Sequence, residues 1–173
     1  LVPLPIMIVL LAWSTLHNDV AYDNSAVWQH VSAHTRGWAD RRGRAVPVLI
    51  WGIVLLAVGV PLAAWGYGDF DVAVPYTGVC VALLLGCLGI SSLYSAQYPY
   101  AAPRPGDPAW QSPQVSGSQG GVAQGLSLLL ILVVVAPAAA AFAMWVVAGG
   151  SWGWTTLVLG VVAGLVARVA GEQ

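Results

Sequence analysis

The stretch LSLLLILVVVAPAAAAFAMWVVA, residues 126–148, decides the fold of this chain. It has no charged residue and exceeds the roughly 20 apolar residues that a helix needs to cross a bilayer. The whole chain has the same character: of its 173 residues 58% are hydrophobic and 8% are charged. A soluble domain has about 25% charged residues. We therefore predict an integral membrane protein.

Working outward from this stretch, the apolar segments predict an all-α, polytopic fold with about five transmembrane helices in one domain, residues 1–173. Pro47 and Pro75 lie where two spans begin, which suits a residue without an N–H group. The first segment is short, and the chain begins at Leu1 instead of Met, so we expect a truncated span in a fragment of a longer protein. The predicted spans are residues 2–16, 46–66, 74–93, 122–148 and 152–167.

The basic residues predict how the chain is oriented. All six are arginine, and all lie on one side of the predicted arrangement. The other side carries Asp69 and Asp71 and no arginine. By the positive-inside rule, residues 17–45 and residues 95–121 are predicted to be cytoplasmic. The arginines are Arg36, Arg41, Arg42, Arg44, Arg104 and Arg168.

The predicted spans contain no acidic or basic residue, which argues against an ion-coupled carrier and against a charge-selective pore. Cys80 and Cys87 share one apolar segment and are interpreted as buried free thiols, not as a disulfide or a metal pair. Gly160 and Gly164 form a G-x-x-x-G pattern, which allows two helices to approach closely. The pattern favours packing within the chain over dimerisation of two subunits.

The most specific polar segment is the connection formed by residues 17–45. Asp23, Asn24 and Ser25 are residue types that cap helix N-termini. The spacing of the apolar residues that follow predicts one short amphipathic cytoplasmic helix, which begins at about Ala26. Composition alone favours contact of this helix with the bilayer surface over contact with a partner protein. The apolar stripe of the helix would contain Trp28, Val31, Thr35 and Trp38.

Two polar stretches resemble a known family, the type-2 ABC exporter permeases, in their C-terminal portion. The run Ala-Tyr-Asp-Asn-Ser-Ala-Val-Trp at residues 21–28, followed by Asp-Arg-Arg-Gly-Arg at 40–44, resembles that family's cytoplasmic motif and its Arg-rich return to the membrane. The chain departs from the motif at Asn24, where the family commonly has Gly; both residues tolerate left-handed backbone. The Pro- and Tyr-rich stretch at 98–110 is similar to the family's second loop.

The resemblance implies the membrane subunit of an ATP-driven exporter in a bacterial inner membrane. It implies as partners the ATP-binding subunit of an ABC transporter, the lipid bilayer and a second permease copy or half, with no cofactor. A chain without lysine has no P-loop lysine, so ATP hydrolysis is expected on a separate subunit and this chain is not expected to be an enzyme. The resemblance assigns the ATPase-coupling surface to Asp23, Asn24, Trp28, His30, Val31 and Arg36.

Two other interpretations remain open at the level of sequence. A non-transporting scaffold or assembly subunit would use its spans only for packing and would rest its Arg-rich segment on anionic lipid. A membrane-embedded enzyme would need polar groups near one face, which His17, Asp19 and Asp23 offer. His30 and His34 are four residues apart, but no carboxylate follows at metal-binding spacing, so no metal site is predicted. The net charge of −1 implies no nucleic-acid partner.

Overall fold

The computed structural model describes residues 1–23, 27–34, 36–102 and 119–171, without the side chains of Val27, His30, Val31 and Gln119. Within these ranges the chain forms helices and no strand. Four of the described helices, α4 to α7, are long and apolar enough to cross a membrane, so the protein is a multi-pass membrane protein. The helices are α1 (Pro3–Leu16), α2 (Asp19–Tyr22), α3 (Val27–Ser32), α4 (Gly37–Tyr67), α5 (Ala73–Gln97), α6 (Gln119–Ala148) and α7 (Trp152–Ala170), with a 3-10 turn at Phe70–Val72.

The predicted all-α polytopic fold is confirmed, and the short helix α1 runs beside α5. At one end the Tyr76 hydroxyl donates to the Leu1 carbonyl oxygen. Just beyond the other end of α1, the Val20 N–H donates to Ser95 Oγ at 3.0 Å. Tyr76 and Ser95 are separated along α5 by about 28 Å, at about 1.5 Å per residue. The segment containing α1 therefore covers nearly the depth of a bilayer core, which is about 30 Å.

Helix α4 begins at Gly37, not near the predicted residue 46. Pro47 lies inside α4 and therefore does not begin a helix, whereas Pro75 lies in the first turn of α5 as expected. The 31 residues of α4 give a length of about 46 Å, which exceeds the bilayer core. The first turns of α4 therefore extend beyond the apolar layer, and they carry Asp40, Arg41, Arg42 and Arg44.

Helix α5 is the centre of the bundle, with α1, α4, α6 and α7 packed around it. In the most apolar 18-residue stretch of α5, 67% of the residues are buried, whereas 22–28% are buried in the corresponding stretches of α4, α6 and α7. The outer helices therefore expose most of their apolar surface, as expected for helices that face lipid. Cys80 and Cys87 are buried free thiols in α5, which confirms their interpretation from the sequence.

Glycines set the contact between α5 and α7. A Cβ atom added at Gly160 would overlap the carbonyl oxygen of Gly78, and one added at Gly78 would lie 2.7 Å from the Cα of Leu157. A Cβ at Gly164 would lie 2.8 Å from the Cβ of Leu85. The two backbones are thus too close for any side chain at the crossing. The G-x-x-x-G pattern packs within the chain, as the sequence favoured.

A short helix forms close to the predicted start at Ala26, but the prediction that one helix continues to Trp38 is wrong. Helix α3 ends at Ser32, His34 has a left-handed φ of 51°, and Arg36 is extended before α4 begins. Trp38 belongs to α4, whose direction is set by the membrane span that it continues, so the predicted stripe is divided between two helices. Several sequence-based assignments lie outside the described residues: the caps at Asn24 and Ser25, the stripe position Thr35, and residues 103–118 of the second loop.

Candidate functional site

One arginine joins three carboxylates at the arginine-bearing end of the bundle. Arg44 Nε donates to Asp40 Oδ2 at 3.0 Å, one helical turn away on α4. The Arg44 guanidinium also donates to both carboxylate oxygens of Asp23, and its Nε lies 3.8 Å from Asp19 Oδ2. We call these four residues the Arg44 cluster. It connects α2 and the residue that follows it to the start of α4.

Two properties determine the electrostatics of the Arg44 cluster: its side chains are partly buried, and it contains three carboxylates and one guanidinium. The four side chains are 15–25% exposed, so water screens their charges only in part. Burial raises the pKa of Asp19, and the hydrogen bond from the Ser95 hydroxyl and the charge of Arg44 oppose that rise. Arg44 is the cation that all three carboxylates share, so its removal is expected to weaken the cluster.

A second set of contacts joins the end of α1 to α5 and α6. Asn18 is only 2% exposed. Its Nδ2 donates to the Tyr100 carbonyl oxygen at 2.9 Å, and the Tyr100 N–H donates to Asn18 Oδ1 at 3.1 Å. Gln124 Nε2, in the second turn of α6, donates to the Tyr100 hydroxyl at 2.6 Å. Both backbone groups of Tyr100 are thereby satisfied by one buried amide, which holds this end of the bundle together.

Arg41 fixes the end of α7 against α4 and α5. Its Nη1 donates to the carbonyl oxygens of Ser92, at 3.0 Å, and Gly171, at 3.2 Å. The Ser92 hydroxyl donates to the same Gly171 oxygen at 3.2 Å. A cation at a helix C-terminus is stabilised by the carbonyl groups that lack partners there. The polar end of the bundle is therefore cross-linked by side chains from several helices.

The predicted coupling residues have different environments. Asp23 is a partner of Arg44 and is partly buried. Trp28, on α3, has 64% of its surface exposed, and Arg36 is exposed just before α4. His30 and Val31 lie in α3, but their side chains are outside the described part of the chain, as is Asn24 entirely.

Other residues of this end were given no coupling role by the sequence. Asn18 and Arg44 make hydrogen bonds to residues distant in sequence. Asp40 and Arg44 have the i,i+4 spacing of a helical ion pair, from which their contact could have been predicted. His17, grouped with Asp19 and Asp23 in the enzyme interpretation, stacks on Trp13 with ring centroids 4.6 Å apart. The long-range bonds of Arg44 and Asn18 had no signal in the sequence.

Exposed aromatic side chains belong to α2, to α3 and to the first turn of α4. We call Tyr22, Trp28 and Trp38 the aromatic surface; they are 62%, 64% and 48% exposed. The guanidinium of Arg42 lies 5.1 Å from the centre of the Trp38 ring, within cation–π range. Large aromatic side chains and arginines are enriched at protein interfaces, and Trp and Tyr are also enriched at membrane–water interfaces.

No protein-family model matches the chain, and neither a curated protein nor a solved structure matches it.

Proposed function

We propose that the chain is a membrane-spanning permease subunit of an ATP-driven exporter, and that it docks a separate ATP-binding subunit through the aromatic surface. The observation that carries this proposal is the position of Trp28. Trp28 is exposed on the short helix α3. Asp23, which precedes this helix, bonds Arg44 of α4, the helix that follows it. The resemblance of residues 21–28 and 40–44 to type-2 exporter permeases supports the same assignment.

The contacts of this end suggest how a docked partner would act on the spans. A displacement of α3 would reach α4 and α2 through the Arg44 cluster. From α2 the displacement would reach Asn18, which bonds Tyr100 just beyond the end of α5. Tyr100 in turn accepts a hydrogen bond from Gln124 of α6. Packed polar contacts with few alternative arrangements transmit a displacement better than a flexible connection does. The proposed partner therefore acts on helix ends, and the translocation path lies among the spans of the assembled permease.

The first prediction tests the docking of an ATPase. Trp28→Ala removes an exposed indole, so we expect unchanged thermal stability, at least about tenfold weaker association with the cognate ATP-binding subunit and loss of coupled export, as for an interface hot spot. Association is measured by co-purification in detergent and transport-coupled ATPase activity in proteoliposomes. Trp65→Ala is the matched control, since Trp65 is 73% exposed at the opposite end of α4.

Unchanged association and export in Trp28→Ala, or an equal loss in Trp65→Ala, would contradict the proposal. The first result would favour the scaffold interpretation. Asp23 is a less specific test position, because its replacement also removes a partner of Arg44.

The second prediction concerns orientation in the membrane. We propose that the arginine-bearing end faces the cytoplasm of a bacterial cell, because five of the six arginines belong to the polar stretches 17–45 and 95–121 of the sequence. Ser32 and Asp71 are both exposed, and they lie beyond opposite ends of α4. In intact cells, a membrane-impermeant thiol reagent is expected to label Asp71→Cys and not Ser32→Cys, with both labelled after lysis. Labelling of Ser32→Cys alone in intact cells would reverse the proposed orientation.

A further inference from the structure

An open cleft lies between the C-terminal end of α5 and the first turns of α6. Its volume is about 600 Å³, within the range of small-molecule sites. Three tyrosines line it, together with one amide and an apolar wall. The cleft lies at the same end of the bundle as the Arg44 cluster, since Tyr100 in its lining bonds Asn18, the residue before Asp19. The lining residues that carry the argument are Tyr94, Gln97, Tyr98, Tyr100, Val122 and Leu126.

Two of the three tyrosines have neighbouring rings. The rings of Tyr94 and Tyr98 have centroids 5.4 Å apart and are inclined by 42°. Tyr100 is held in place through its hydroxyl by Gln124 and through its backbone by Asn18. No arginine is among the described lining residues. Aromatic faces attract cations, and several rings around one site are the usual means of binding alkylated ammonium groups.

The second wall of the cleft is apolar and about half exposed. Val122 and Leu126, one turn apart on α6, are 54% and 47% exposed. Such a wall suits a hydrocarbon chain that lies along α6 while a polar head stays at the level of the tyrosines. A ligand of this site therefore needs both an aromatic-binding cation and an apolar tail.

We propose that this cleft binds a quaternary ammonium group attached to a hydrocarbon chain. The tyrosines contact the ammonium group, and Val122 and Leu126 contact the chain. Both a choline lipid headgroup and a free cationic amphiphile have this chemistry. The inference is independent of the ATPase proposal, because it concerns binding at α5 and α6 and needs no partner.

The test is a binding measurement on the purified full chain in neutral maltoside micelles. Isothermal titration with tetradecyltrimethylammonium is expected to show saturable binding, at least about tenfold tighter than that of tetradecyl sulfate, which has the same tail and the opposite charge. Equal affinities for the two probes, or unsaturable partitioning of both, would overturn the proposal.

Substitutions at Tyr98 separate the aromatic contribution from simple bulk. Tyr98 is 59% exposed, so its replacement leaves the fold intact. Tyr98→Leu is expected to weaken binding of the ammonium probe about fivefold, while Tyr98→Phe keeps the ring and stays within about twofold of the unsubstituted chain. Tyr67→Leu, at a 55% exposed tyrosine at the opposite end of α4, is expected to have no effect. An equal loss in Tyr98→Phe or in Tyr67→Leu would contradict aromatic recognition in this cleft.

Competition distinguishes the two sources of the ammonium group. Displacement of the probe by phosphatidylcholine, and not by phosphatidylglycerol, would support a lipid headgroup as the occupant. Displacement by neither lipid, with the probe still preferred over the sulfate, would support a free cationic amphiphile. Equal displacement by both lipids would count against recognition of the ammonium group.

Discussion

Gly160→Ala is expected to lower the free energy of unfolding by about 3 kcal/mol, at the upper end of the range for overpacked interiors. The added methyl group would overlap the carbonyl oxygen of Gly78, a backbone atom of a helix that is itself enclosed by four others. A side chain could rotate away from such an overlap, but a helix backbone cannot. The helices α5 and α7 would therefore have to separate along their contact. The measurement is equilibrium unfolding of the purified chain in mixed micelles, followed by circular dichroism.

Gly125→Ala is the matched control for this substitution. Gly125 is an exposed helical glycine of α6, and a Cβ atom added there has no neighbour within 4 Å. Its replacement is expected to leave stability unchanged or to raise it slightly, because alanine favours the helix. Gly78→Ala, which approaches the same crossing from α5, is expected to reproduce the loss. Equal stabilities of Gly160→Ala and Gly125→Ala would show that the two helices do not meet as closely as described.

Arg44→Gln is expected to destabilise the polar end of the bundle by about 1–3 kcal/mol, between the values for exposed and for buried ion pairs. The substitution leaves Asp19, Asp23 and Asp40 without their shared cation while they remain partly buried. The expected result is faster hydrogen exchange in residues 18–23 and in the first turns of α4. Exchange in the middle of α5 is expected to stay slow, because that part is held by apolar packing.

Two further variants show whether geometry or charge is responsible. Arg44→Lys keeps the positive charge but lacks the planar fork that reaches several carboxylates, so we expect an intermediate effect. Arg42→Gln removes the same charge from a neighbouring exposed position and is expected to cost less. If Arg42→Gln changed exchange in residues 18–23 as much as Arg44→Gln does, overall charge, and not the Arg44 cluster, would explain the protection.

The sequence predicted the membrane spans well, because hydropathy is a local property of each segment. The predicted third, fourth and fifth spans begin within a few residues of α5, α6 and α7. It failed at the start of α4, because the residues before 46 were assigned to the connection 17–45 although the helix begins at Gly37. The helix forms there because Arg41 and Arg44 gain partners on other helices, and such tertiary contacts outweigh weak local propensity.

The candidate site was predicted only in part, for the same reason. Residues 21–28 and the arginines were recognisable as a motif, and Trp28 is exposed as a docking residue requires. Asp23 was assigned to the same surface, yet it bonds Arg44 of its own chain. Sequence spacing could not distinguish a carboxylate that is available to bind another protein from one that forms an ion pair within its own chain.

By itself the sequence determined that this is a helical membrane protein, and it predicted spans without charge and arginines on one side of the membrane. These properties depend on residue type and on position along the chain, and the bilayer imposes them on each segment separately. Only the tertiary structure decided that Gly160 packs on Gly78, that Arg44 unites three carboxylates and that three tyrosines line one cleft. Those contacts depend on how helices distant in sequence are brought together, which packing determines and local composition does not.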